Sequence, residues 1–267
     1  MTTVNDILSQ LNEIAPMEMK MDFDNIGLLV GRTNAETSRI LISLDITHDV
    51  ISEAHEIGAK LIISHHPIFY SLKNITDTDI TGLKVIRLIE NGISAICMHT
   101  NLDAAMRGTS YALAKAAGLV GDDSEFMLLA QEGFLGDGTA FSYGRSGYLQ
   151  SAKTLSEYLP ELKSALKTNG IRYYDCGKDV YHVAVVSGSG GDYLEKAMHR
   201  GCDTLLTADI KYDVFLEAKE LGMNIIDGDH FCTENLVTEN LAMMLRPALP
   251  STDITVSSVH AQTVKFF

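Results

Sequence analysis

No stretch of this sequence approaches the roughly 20 consecutive apolar residues that a membrane-crossing helix needs, which argues against a membrane span. The opening residues, MTTVNDILSQLNE, carry acids and no apolar core, so they read as the start of an amphipathic helix and not as a secretion leader. Positive charge is scarce: 21 Lys and Arg stand against 35 Asp and Glu, a net charge of −14. Nucleic acid is bound mainly by neutralising its phosphates, and the absence of any basic cluster argues against it as a partner. Cys97, Cys176, Cys202 and Cys232 show no CxxC spacing. That excludes a zinc ribbon or a disulfide frame and leaves reduced thiols, as expected of a cytoplasmic protein.

What is present is ordinary for a soluble fold: 46% hydrophobic and 21% charged residues in a 267-residue chain, enough for two lobes with their own cores. An internal echo organises the chain. Residues 49–64, DVISEAHEIGAKLIIS, can be laid over residues 192–207, DYLEKAMHRGCDTLLT. Each follows an apolar strand, ILISLD (40–45) or HVAVVS (182–187), and so reads as strand, helix, Gly, strand, the grammar of a right-handed βαβ crossover. A further helix–Gly–strand unit follows each copy, at 83–98 and 214–226. Gly58, Gly92, Gly201 and Gly222 fit left-handed helix stops.

The expected fold is therefore α/β: two similar lobes with mainly parallel sheets. The first covers residues 1–121 and the second 122–228, with 229–267 returning to the first as a helix and a last strand. The Gly-rich stretch 121–149 reads as a hinge and an antiparallel excursion. Chemistry is expected beyond the carboxyl ends of the parallel strands.

Those ends carry a distinctive set of residues. Strand 61–64 delivers His65 and His66; strand 93–98 delivers His99 and then Asp103; strand 223–226 delivers Asp227, Asp229 and His230, with Glu234 four residues on. Imidazole and carboxylate together suit zinc, manganese, iron or nickel, and carboxylates can bridge two ions. His230 and Glu234, at i and i+4, share one helix face. Adjacent His65 and His66 are expected to point to opposite sides of an extended backbone, each toward a different ion, with Pro67 ending the strand. His99 reads as a ligand or as a residue that orients one. In the second half, SGSGG (187–191) puts Gly188, Ser189 and Gly190 between strand and helix, where an anion can bind. Asp209 either faces the site or caps the next helix; Arg145 is an anion partner or a turn residue.

These landmarks occur together in one known family. DNIGLLVG (24–31), SLDIT (43–47), ISHHPIF (63–69), HTNLDAA (99–105), GRSG (144–147), SGSG (187–190), TADIKY (207–212) and DHFCTE (229–234) appear in order along nearly the whole chain. The sequence resembles the Nif-three-like dinuclear metal-centre proteins, known as GTP cyclohydrolase 1 type 2 homologues, in their short form. The resemblance implies two divalent ions per chain in a site between the lobes, with His65, His66, Asp103, His230 and Glu234 as ligands. It also implies a homohexamer. Three positions depart from the family pattern: Asp213 where a His is frequent, Ala208 where Gly is frequent, and Phe23 where Trp is usual.

The expected function is a cytoplasmic dinuclear metal hydrolase of a nucleotide or other phosphate-bearing substrate, with His99 as orienter or proton carrier. The rival is a non-catalytic, metal-stabilised regulatory or protein-binding scaffold, which would use the same ligands.

Overall fold

The structure, a computed structural model, describes residues 2–122 and 125–267. The chain forms two compact units. One comprises the residues up to Leu102 together with Val237–Ala261; the other comprises Asp103–Leu236 with Gln262–Phe267.

In the first unit a five-stranded sheet runs, edge to edge, Asp253–Val256, Arg39–Ser43, Leu61–Ser64, Ser94–Cys97 and Gly27–Val30. Every neighbouring pair is parallel except the last, which is antiparallel. Ile40, Leu41, Ile42, Leu61, Ile62 and Ile63 are all buried, the unbroken apolar run of strands covered on both faces. Helices His48–Ile57 and Ile80–Glu90 supply Val50, Ile51, Ala54, Val85 and Leu88 to that core. The first helix starts where the Thr47 hydroxyl accepts from the Val50 amide at 3.2 Å and stops at Gly58, at φ 75°.

The second unit's main sheet orders Arg172–Tyr174, Asn224–Asp227, Thr204–Ala208, Val180–Ser189, Arg145–Lys153 and Leu119–Val120. Its three central strands are parallel and its flanks antiparallel. Strand alternation sorts the core. Val183, Val185, Leu206 and Ile226 meet Leu155, Tyr158, Leu162 and Leu166 of helix Leu155–Leu166 on one face. Ala184, Val186, Leu205 and Ile225 meet Leu194, Ala197 and Ala218 on the other.

The repeat read from the sequence is present as strand–helix–Gly–strand in both units, and Gly58, Gly92, Gly201 and Gly222 all have positive φ, 75°, 62°, 81° and 61°. The boundaries differ from expectation. Helix Thr109–Ala116 and strand Leu119–Val120 belong to the second unit. Leu113, Ala114, Ala117 and Leu119 pack with Leu149 and Tyr158, and Leu119–Val120 pairs with Leu149 and Tyr148. The C-terminal return is also divided. Helix His230–Glu234 stays with the second unit, Leu236–Ala248 leads back to the first, and residues 262–267 rejoin the second, where Asn169 Nδ2 donates to the Val264 carbonyl at 2.9 Å. In the stretch 121–149 the described residues form the expected antiparallel pairings, Met127–Leu128 against Arg145–Ser146 and Gly133–Phe134 against Ala140–Phe141. Asp123 and Ser124 of that stretch lie outside the described residues. Among the described residues no helix is long and apolar enough to cross a membrane.

Candidate metal centre

In the first unit, His65, His66 and His99 leave the carboxyl ends of the parallel strands Leu61–Ser64 and Ser94–Cys97. The strand ends at Ser64, before Pro67 acts. The His65 and His66 amides both donate to the Leu44 carbonyl, at 3.1 and 2.9 Å. That bend corrects the expectation of two rings on opposite sides. Their centroids lie 5.0 Å apart, and His99 lies 5.1 Å from His65 and 5.6 Å from His66. One ring nitrogen from each of the three falls within 4.8 Å of the others.

The three imidazoles share a further feature: each engages Nδ1 with an oxygen. His65 Nδ1 meets the Met98 carbonyl at 2.9 Å, His66 Nδ1 meets Asp45 Oδ1 at 2.8 Å, and His99 Nδ1 meets Asp24 Oδ1 at 2.9 Å. A carbonyl can only accept, so His65 carries its proton on Nδ1. The two carboxylates impose the same tautomer. Burial acts to raise the Asp24 carboxyl, but hydrogen bonds from His99 and Thr100 outweigh it and hold it well below the usual carboxylate range. Asp45 behaves alike, with His260 and His66 opposing its burial. Nε2 is then the lone-pair nitrogen on every ring, the arrangement in which metal-binding histidines are held.

In the second unit, the short helix His230–Glu234 is capped by Asp229, whose Oδ1 accepts from the Cys232 amide at 3.0 Å. The i, i+4 spacing places His230 Nε2 3.0 Å from Glu234 Oε2, while His230 Nδ1 meets Asp209 Oδ2 at 2.7 Å. Burial acts to lower the His230 pKa, yet Glu234 and Asp209 push it up to about 9. An imidazole that takes a proton between two carboxylates marks a place where negative charge needs a cation. Asp209 and Asp229 both hold positive φ, 52° and 77°, strain of the kind stored at functional sites. Asp209, expected either to face the site or to cap the next helix, meets His230 Nδ1 and so orients that ring.

Asp103 is held by a buried hydroxyl chain. Thr109 Oγ1 donates to Asp103 Oδ1 at 2.5 Å and accepts from Ser187 Oγ at 2.6 Å.

The Gly-rich turn has a different occupant from the one its glycines suggest. Gly188, at φ 62°, donates its amide to Thr233 Oγ1 at 3.2 Å and accepts from Thr207 Oγ1 at 2.9 Å. The Glu234 carboxylate fills the space where a Gly188 side chain would stand. A phosphate beside Gly188 would meet that carboxylate's charge. Ser189 is exposed on the same turn, in register with Ala208, and the Gly190 carbonyl accepts from the Tyr193 amide at 3.0 Å. Arg145 is 4% exposed, and its guanidinium donates to the carbonyls of Ser142, Gly144, Ala104 and Ala105. It braces backbone within the second unit, and burial lowers its pKa to about 10. Asp213 is exposed in the first turn of helix Tyr212–Leu221.

Sequence reasoning missed the residues behind the candidate ligands. Asp24, Asp45 and Ser187 were legible as members of DNIGLLVG, SLDIT and SGSGG, though without these roles; Thr109 gave no signal. The donor set, imidazole nitrogens with fixed tautomers and partly buried carboxylates, fits Zn, Mn, Fe or Ni.

The model of the family Duf34/NIF3 (NGG1p interacting factor 3) matches residues 2–264. The chain is 35% identical to a GTP cyclohydrolase 1 type 2 homolog of Clostridium acetobutylicum over 86% of this chain and 85% of that one. It is 34% identical to a protein of the same description from Clostridium perfringens, over 86% of each. The solved structure of a Bacillus cereus protein related to NIF3 matches with a TM-score of 0.92 at 23% identity, covering 100% of this chain and 99% of that one, which shows a shared fold.

Proposed function

The chain belongs to the Duf34/NIF3 (NGG1p interacting factor 3) family, and on that premise we propose that it is a dinuclear metal-dependent hydrolase of a nucleotide or other phosphate-bearing substrate. The observation that carries the reading is the imidazole cluster, with ring nitrogens of His65, His66 and His99 within 4.8 Å of one another and each Nδ1 engaged by an oxygen. His65 and His66 of the first unit, with Asp103, His230 and Glu234 of the second, would hold two divalent ions. Such ions, when bound, supply Lewis acidity and a nucleophilic water at neutral pH.

The chain's own residues do the rest. Asp45 and Asp209 fix the tautomers of His66 and His230. Thr109 orients Asp103 by donating to its Oδ1. His99, with its Nδ1 proton held by Asp24, presents Nε2 for proton transfer to and from the reacting group. The relatives' name makes GTP the first substrate to try. A homohexamer in the cytoplasm completes the proposal.

The test is metal content per chain after loading with Zn²⁺, Mn²⁺, Fe²⁺ or Ni²⁺, followed by turnover of GTP, other nucleotides and phosphoesters, with His66→Ala as control. Two ions per chain and turnover that His66→Ala abolishes are expected. Metal bound without turnover of any of these would assign the chain instead to a metal-stabilised scaffold, and no bound metal would overturn both readings.

A further inference from the structure

One carboxylate in the first unit serves two imidazoles. Asp45 Oδ1 lies 2.8 Å from His66 Nδ1, and Asp45 Oδ2 lies 2.9 Å from Nε2 of His260, a residue 215 positions later in the chain. We propose that His260 is a positioning residue for the metal centre: by holding Asp45 it fixes His66 with Nδ1 protonated and Nε2 as donor. This inference rests on the metal-binding reading above.

The physical need is plain. The terminal torsion of an aspartate is broad, and the Asp45 side chain is 39% exposed, so water competes for both oxygens. A carboxylate gripped by one imidazole alone can turn and release it. A second N–H on the other oxygen fixes the carboxylate plane and, with it, the direction of the His66 ring. The His260 side chain is only 11% exposed and is therefore shielded from that competition.

His260 is itself held in place by its own segment. Strand Asp253–Val256 pairs in parallel with Arg39–Ser43, and the Ser257 amide continues the ladder to the Ile42 carbonyl at 2.8 Å. Next, Ser257 Oγ donates to Glu53 Oε2 at 2.5 Å, and the Ser258 amide and hydroxyl donate to Glu53 Oε1 at 2.8 and 2.7 Å. The His260 amide then donates to Ser257 Oγ at 3.3 Å. A buried glutamate thus takes three donors from consecutive residues, two positions before the imidazole that meets Asp45. A segment that only closed the sheet edge would need neither the glutamate clamp nor the histidine.

The experiment compares the full chain with His260→Ala and His260→Gln, each stripped with EDTA and confirmed folded by circular dichroism. Long-range ¹H–¹⁵N spectra read the His66 tautomer, and titration with Zn²⁺ reads affinity. Removing a partner that orients a metal-binding histidine typically costs 10–100-fold in affinity. His260→Ala is expected to lose that much and to show His66 in mixed tautomers. His260→Gln, which keeps an N–H donor of similar reach, is expected to restore the Nδ1–H tautomer and most of the affinity. Wild-type tautomer and affinity in His260→Ala would overturn the inference. Unfolding of His260→Ala leaves His260→Gln to decide, and a mixed His66 tautomer in that variant would overturn it too. If the wild-type chain binds no Zn²⁺, the metal-binding reading fails, while the tautomer comparison still decides whether His260 holds His66.

Discussion

Gly188 and Glu234 share one space. A Cβ built on Gly188 would lie 2.0 Å from Glu234 Oε1, and the backbone there is at φ 62°. The glycine is the seat of a buried carboxylate that the proposed metal centre uses.

Gly188→Ala therefore has two separable effects. The left-handed backbone alone costs about 1–2 kcal/mol for a residue with a Cβ, seen as a lower urea midpoint. Displacement of the Glu234 carboxylate should lower divalent-metal affinity by at least about tenfold, the scale at which disturbed ligand geometry is felt. Unchanged metal titrations in the folded variant would show that Glu234 does not bind there.

His99→Ala separates ligand from proton carrier. With His65 and His66 intact, metal content is expected to stay at the wild-type value while turnover falls by about 10²–10⁴-fold, the range typical of a lost general acid or base. Loss of an ion in this variant would make His99 a ligand.

Arg145→Met tests the bracing role. It strips donors from four backbone carbonyls, Ser142, Gly144, Ala104 and Ala105. The Gly144 and Ala105 carbonyls still accept from the Leu129 and Gly108 amides, so the cost falls on Ser142 and Ala104; at about 1–3 kcal/mol per unsatisfied buried group, a loss of about 2 kcal/mol or more in unfolding free energy is expected. A stable variant with weakened phosphate affinity would restore the anion-binding role.

Glu53 sets part of the acid stability. Burial acts to raise its carboxyl, but bonds from Ser257 and Ser258 hold it below its usual 4.5. A depressed folded pKa means that the folded form binds fewer protons than the unfolded chain across that window. Its contribution is complete above the unfolded value and is lost as pH falls through the folded one. Glu53→Gln should flatten the fall in stability below about pH 4.5, read from urea midpoints at successive pH values. An unaltered slope would remove Glu53 from that role.

The α/β character, the repeated units and the histidines at strand ends were legible because periodicity and αL glycines declare themselves locally. The lobe boundary was not. The helix Thr109–Ala116 shows an apolar face, but nothing local states which sheet will bury it; Leu113 and Leu119 go to the second. His65 and His66 were expected to diverge because an extended strand alternates, and the bend at these two residues, whose amides both turn onto the Leu44 carbonyl, depends on a neighbouring strand end. Gly188 illustrates a second limit. A positive-φ glycine looks the same in sequence whether its empty side receives a phosphate or a glutamate. His260 carries no local sign of its role, since its partner Asp45 lies 215 residues away.

The interrupted first unit also dictates an order of events. Its edge strand Asp253–Val256 must find Arg39–Ser43 after Asp103–Leu236, the bulk of the second unit, has been made. During synthesis, which proceeds N-terminus first, the second unit has nearly all its sequence available while the first still shows an open parallel edge at Arg39–Ser43. Closing that loop is slow by topology. Strand Asp253–Val256 and His260 arrive together, so the Asp45 carboxylate that holds His66 gains its second imidazole only after residue 260 has been made.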